Sequence, residues 1–145
     1  MELTFMPAAP ADVDAIFALS RELILRYEDT YTVDLNRVLP WMRRKMEAHI
    51  DQYRCILRDG EKVGWFRLAP ENGELELDDF YILPPFRNQG IGTAVLKHCC
   101  AGTDKPIFLC VFTQNTGAIA LYLRHGFEIT ENISRTRCLM RREVL

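Results

Sequence analysis

Between residues 74 and 112 the chain reads strand, glycine-bearing turn, helix, strand, and that order leaves few folds open. ELELDDFYIL has the composition of a strand, Pro84-Pro85 end it, and Arg87-Asn88-Gln89-Gly90-Ile91-Gly92-Thr93 form the turn. A helix is expected from Ile91 to Ala101, with Ile91, Val95 and Cys99 on one face, followed by the apolar strand IFLCVF from Ile107. A strand joined to the next strand by a helix is a crossover, and it lays the two strands parallel in one sheet.

The flanking segments extend this pattern. ELTFM at residues 2–6 reads as a short strand, broken by Pro7 and Pro10. Val13, Ile16, Phe17, Leu23, Ile24 and Tyr27 recur at helical spacing, as do Leu35, Val38, Leu39, Met42, Met46 and Ile50. Pro40 falls inside the second of these helices and marks either a kink or its start. From Tyr53 the period becomes two. YRCILR and KVGWFRLA flank Asp59-Gly60, a dipeptide suited to a tight hairpin, and Glu71-Asn72-Gly73 turns the chain into the next strand. Three antiparallel strands in a meander follow. After IFLCVF come a helix over 116–125 that ends before Gly126, then strand-like stretches at 127–130 and 136–142. The expected fold is α+β or mixed α/β, with six or seven strands and about four helices in one domain of 145 residues.

Composition excludes several classes. Lys and Arg number 18 against 20 Asp and Glu, a net charge of −2, so no global basic field exists to hold nucleic acid. No apolar run approaches the length of a membrane helix, and the N-terminus lacks a basic, then apolar, leader, so a cytoplasmic location is expected. The five cysteines (Cys55, Cys99, Cys100, Cys110, Cys138) form no C-x-x-C pair and read as reduced core thiols. His49, His98 and His125 have no metal-ligand spacing, so no metal is expected.

Glycines in the turn at 87–93 let backbone approach a ligand, and the unbonded N–H groups of the following helix's first turn favour an anion such as phosphate. No lysine follows Gly92, which excludes a Walker loop, and Val95 stands where a dinucleotide fingerprint needs Gly or Ala. What remains is Arg/Gln-x-x-Gly-x-Gly, met by Arg87, Gly90 and Gly92, with Gln89 as a further polar contact.

Taken with IFLCVFTQN and NTGAIALYLRHGF, the segment DDFYILPPFRNQGIGTAVL resembles the GNAT superfamily of acetyl-CoA-dependent N-acyltransferases, and the preceding helices and meander extend the resemblance over almost the whole chain. The resemblance implies that backbone N–H groups of Arg87, Asn88, Gln89, Gly90, Ile91, Gly92 and Thr93 hold the pyrophosphate of acetyl-CoA. It further implies that Phe80, Tyr81 and Ile82 pair through main chain with the pantetheine arm, the Ile82 amide donating to the acetyl carbonyl. Asn115 resembles the family's coenzyme-side asparagine, although the same residue suits a helix cap. Tyr122 matches the tyrosine that protonates the departing thiolate, although it shares a helical face with Ala118 and Leu121 as a core aromatic does.

The acceptor amine must lose a proton before it attacks. Five acids, Glu71, Glu74, Glu76, Asp78 and Asp79, lie between Arg67 and Arg87 without an intervening Lys or Arg, a cluster that attracts a cationic acceptor but equally suits a solvated strand face. Period two puts Glu74, Glu76 and Asp78 on the face of Phe80 and Ile82, with Asp79 opposite, which makes Glu76 or Asp78 the candidate base. Some family members carry a glutamate on the following strand, where this chain has Cys110. Tyr27, Glu28, Asp29, Tyr31 and Trp41 fall in the region that usually sets acceptor specificity and suit core packing equally well. Only thirteen residues separate Gly92 from Pro106, so the helix after the turn is short for the family. The expected activity is acetyl transfer to a primary amine of a small molecule or protein by direct attack. The alternative is a non-catalytic coenzyme-A-binding module of the same fold. A longer acyl group, an oxygen acceptor and a homodimer all stay open.

Overall fold

The computed structural model describes residues 2–143. Among them are seven strands and four α-helices: β1 (Leu3–Pro7), α1 (Val13–Tyr27), α2 (Leu35–Ala48), β2 (Tyr53–Arg58), β3 (Glu61–Glu71), β4 (Glu74–Ile82), α3 (Ile91–Ala101), β5 (Ile107–Phe112), α4 (Thr116–Arg124), β6 (Glu128–Asn132) and β7 (Arg137–Arg142). Hydrogen-bonded neighbours run in the order β1-β2-β3-β4-β5-β7-β6. The chain forms two compact units: residues up to Arg67 with Asp79–Leu83, and Leu68–Asp78 with the chain from Pro84 onward.

In the first unit, β1 pairs antiparallel with β2 from Leu3↔Arg58 to Pro7↔Arg54, and β2 pairs antiparallel with β3. The β2–β3 turn is built as its residues require: Asp59 and Gly60 have φ of 52° and 84°, the two left-handed residues of a primed hairpin turn. α1 and α2 cover this sheet through Val13, Ile16, Leu19 and Met46, which pack on Tyr53, Cys55 and Trp65, with Tyr81 and Leu83 at the edge of the cluster. α2 starts at Leu35 because Asp34 caps it, its carboxylate accepting from the Asn36 amide at 3.1 Å. Pro40 therefore lies inside the helix and does not mark its start.

A buried carboxylate ties this unit together. Asp12, 6% exposed, accepts from the Ala9 amide at 2.8 Å, Lys62 Nζ at 2.9 Å and Trp65 Nε1 at 3.3 Å. Burial pushes its pKa up, but the Ala9 amide and Lys62 outweigh burial and hold it below the usual carboxylate value. Its stabilisation is therefore present above about pH 4, the unfolded value, and is lost as pH falls from there towards the folded value. Asp12→Ala is expected to cost about 3 kcal/mol at pH 7, with the gap to wild type narrowing at pH 3. Urea melts at both pH values measure this, and a gap independent of pH would contradict it.

In the second unit β4 and β5 pair in parallel at Leu75↔Ile107 and Glu76↔Phe108, the crossover through α3 that the strand, helix, strand order requires. β5 continues antiparallel to β7 over Ile107↔Arg142 to Phe112↔Arg137, and β7 carries β6 at its other edge. Gly126, at φ 87°, takes the left-handed position past the end of α4. Buried Ile91, Val95, Leu96 and Cys99 on α3, Ile107 and Leu109 on β5, and Met140 on β7 are this unit's core residues. All five cysteines are free thiols. Cys55, Cys99 and Cys138 are core residues as expected, burial pushing the Cys99 thiol up to about 12, but Cys100 is half-buried and Cys110 is exposed. No helix among the described residues is long and apolar enough to cross a membrane.

Candidate active site

The turn that opens α3 is shaped for an anion. Asn88 and Gly90 are both left-handed, at φ 62° and 81°, and Gly90 is the N-cap of α3. The first helical bond runs from the Ala94 amide to the Gly90 carbonyl at 3.1 Å, so the amides of Ile91, Gly92 and Thr93 precede the helical ladder. Backbone N–H groups gathered by left-handed residues, added to the positive end of an eleven-residue helix, attract negative charge. The Gln89 side chain donates to the Pro85 carbonyl at 3.0 Å and braces the turn.

Asn115 caps α4, its Oδ1 accepting from the Ala118 amide at 3.4 Å. That contact leaves the side-chain NH2 without a partner among the described residues. Two turns further on from Asn115, Tyr122 is 8% exposed, its ring 5.7 Å from that of Phe127. The ring is therefore enclosed. Its hydroxyl makes no hydrogen bond among the described residues. Burial, and secondarily the charge of Asp78, push the Tyr122 pKa well above that of an ordinary phenol, so the hydroxyl keeps its proton at neutral pH. The second unit thus brings two sequence-predicted residues, Asp78 and Tyr122, into one electrostatic neighbourhood, and the Asp78 carboxylate interacts with Cys110 as well.

The acids of β4 divide by partner. Glu74 is held by Arg141, whose Nε and Nη2 donate at 3.1 and 2.5 Å and lower its pKa. Glu74 is thus bound within its own unit. Glu76 and Asp78 are half-buried, with Glu76 in register with Phe108.

In the first unit, the end of β4 is closely held. The Leu83 amide donates to the Val63 carbonyl at 2.8 Å, so the alternation of backbone groups along a strand turns the Ile82 amide towards the opposite edge. Gly64 on β3 permits this approach: a Cβ there would stand 2.2 Å from the Tyr81 carbonyl oxygen. Asp79 is the feature that sequence reasoning missed. Its φ is 47°, a left-handed residue inside a strand, and its carboxylate accepts from the Tyr53 hydroxyl at 2.5 Å and the Tyr81 hydroxyl at 2.8 Å. Two-residue alternation holds on either side of such a residue but does not carry across it. The shared face expected for Glu74, Glu76, Asp78, Phe80 and Ile82 rested on an unbroken pleat, which the left-handed Asp79 interrupts.

Mixed-sheet order, a parallel β4–β5 step and an anion-attracting turn at the start of α3 together define a mixed α+β fold with a site suited to a phosphate-bearing ligand. The chain belongs to the family described as Acetyltransferase (GNAT) family, whose sequence pattern matches residues 17–127. The spermine/spermidine N(1)-acetyltransferase of Bacillus subtilis is 32% identical over 95 residues, 57% of this chain and 62% of that protein. The amino-acid acetyltransferase of Shewanella oneidensis is 29% identical over 91 residues, 61% of this chain and 20% of that one. The chain spans less than two thirds of the length of these relatives. Among solved structures, the PaiA N-acetyltransferase of Thermoplasma acidophilum in complex with coenzyme A superposes with a TM-score of 0.74 at 17% identity, covering 99% of both chains. An acetyltransferase of Thermus thermophilus gives 0.72 at 20% identity, covering 98% of this chain and 97% of that one. At these identities the structural likeness speaks for the fold.

Proposed function

We propose that the chain is an N-acetyltransferase, one GNAT domain that moves an acetyl group from acetyl-CoA to a primary amine by direct attack. Support for a single domain lies in β3 and β4, each of which contributes residues to both compact units. The amides from Asn88 to Thr93 hold the pyrophosphate, the Arg87 amide donating instead to the Pro84 carbonyl at 3.3 Å, with the Asn115 side-chain NH2 as a further donor to the coenzyme. The main chain of Phe80, Tyr81 and Ile82 receives the pantetheine arm as an added strand, and the Ile82 amide donates to the acetyl carbonyl as negative charge develops there. Asp78 or Glu76 takes the proton of the incoming amine. Tyr122 donates to the departing thiolate.

The observation that carries this reading is Tyr122: an enclosed ring, a hydroxyl with no hydrogen bond among the described residues that keeps its proton, and the charge of Asp78 acting on it. The relatives' names extend the proposal to acceptors of two kinds, polyamines and amino acids. Calorimetry with acetyl-CoA, followed by thiol release across a panel of polyamines, amino acids and peptide amines, tests it. Heat on binding and release with at least one amine are expected, and absence of both overturns the assignment.

A further inference from the structure

Asp79 is the residue that the reading above leaves without a role. A non-glycine residue with φ 47° inside a strand is held in a conformation it does not prefer, although aspartate tolerates it better than most. Such a residue persists where its surroundings over-determine it. Here the surroundings are named. Tyr53 is 2% exposed and fixed in the core cluster beneath α1 and α2, and its hydroxyl meets one oxygen of Asp79. Tyr81 packs against the same cluster, and its hydroxyl meets the other oxygen. Both bonds are strengthened by the carboxylate's charge. The left-handed residue comes immediately before Phe80–Ile82, the three residues whose main chain the proposed acyl transfer uses.

We propose that Asp79 is a positioning residue: its carboxylate, clamped between the Tyr53 and Tyr81 hydroxyls, fixes the left-handed break in β4 and so sets the direction of the Phe80 and Ile82 amides. The clamp ties the break to a buried aromatic that cannot drift with the strand end. The functional part of this assignment rests on the acetyltransferase reading; the structural part does not.

The test separates backbone from carboxylate. Glycine adopts positive φ unaided, whereas alanine does not. Asp79→Ala is therefore expected to lower kcat about thirtyfold, within the range that small misplacements of reacting groups produce, with the KM for the amine changed less than about threefold. Asp79→Gly is expected to recover kcat to within about fivefold of wild type, and Tyr53→Phe and Tyr81→Phe each to fall between wild type and Asp79→Ala. If glycine is as poor as alanine and both raise the amine KM, the carboxylate itself meets the acceptor and the proposal is overturned. Asp79→Ala at wild-type kcat overturns it equally. Amide hydrogen exchange at residues 80–82, read without substrate, gives a second measure: faster exchange in Asp79→Ala, restored protection in Asp79→Gly. Should Asp79→Ala not fold, the same two measurements are made on Tyr53→Phe and Tyr81→Phe, and unchanged values in both overturn the clamp. Acetyl-CoA calorimetry on the wild-type chain keeps the two ideas distinct, because absence of binding removes the acetyltransferase reading while the exchange data still judge the clamp.

Discussion

Tyr122→Phe is expected to lower kcat about a hundredfold while the acetyl-CoA dissociation constant stays within about twofold of wild type. General acids contribute roughly 10²–10⁴ in rate, and a thiol with a pKa near 8.5 is a good enough leaving group to place this one at the low end. A hundredfold loss corresponds to about 2.7 kcal/mol of transition-state stabilisation. The substitution deletes one oxygen that has no hydrogen bond among the described residues, so the thermal midpoint is expected to hold. The pH profile sharpens the test. Burial raises the Tyr122 pKa above its ordinary value near 10, so between pH 6 and pH 9 the phenol keeps its proton. Across that window the variant's profile should drop in height without changing shape. A rate equal to wild type at every pH would remove Tyr122 from the chemistry.

Gly64→Ala is the second large effect. The added methyl would stand 2.2 Å from the Tyr81 carbonyl oxygen, 3.1 Å from Ile82 Cδ1 and 3.2 Å from Ile82 Cα. Two of these atoms belong to the backbone of β4, which cannot rotate aside as a side chain does, so the strand itself has to move. Overpacking of this kind costs about 3 kcal/mol. For a chain of this length that is a fall in Tm of roughly 6–12 °C, measurable by scanning calorimetry. Because the displaced residues are those whose main chain is proposed to receive the thioester, activity should fall further than stability explains at the assay temperature. A Tm within about 2 °C of wild type would show that β3 and β4 are less tightly apposed than the structure indicates.

Much of this architecture was legible in the residues because local chemistry determined it. Asp59-Gly60 and Asn72-Gly73 are dipeptides whose left-handed tolerance selects a hairpin, and both pairs have φ between 51° and 84°. Val13 and Tyr27 bound α1, and Ile91 and Ala101 bound α3, where apolar spacing put them. The motif at 87–93 was readable for the same reason: glycine spacing and a helix start are local signals. What escaped was decided at long range. The Tyr53–Asp79 bond joins residues 26 apart, and the Glu74–Arg141 pair joins residues 67 apart. Neither has a periodic signature, so the acidic run read as one cluster although its members differ: Glu74 is ion-paired, the charge of Asp78 acts on Tyr122, and Asp79 lies between two hydroxyls. Of the two readings open at Pro40, a kink or a helix start, the second is excluded, because the Asp34 cap sets where α2 begins. Cys110 was assigned to the core from its apolar neighbours, but its place on β5 leaves it exposed.

The two terminal strands of the sheet order have a consequence for how the protein behaves in concentrated solution. β1 and β6 are each five residues long. β1 ends in Pro7, which has no N–H to offer. β6 is exposed throughout, carries Glu128 and Glu131, and slips register against β7 between Ile129 and Glu131. Short, charged or irregular margins are poor templates for a foreign strand. Fibril growth by stacking one copy's rim on another's is thereby discouraged, and concentrated samples should remain clear.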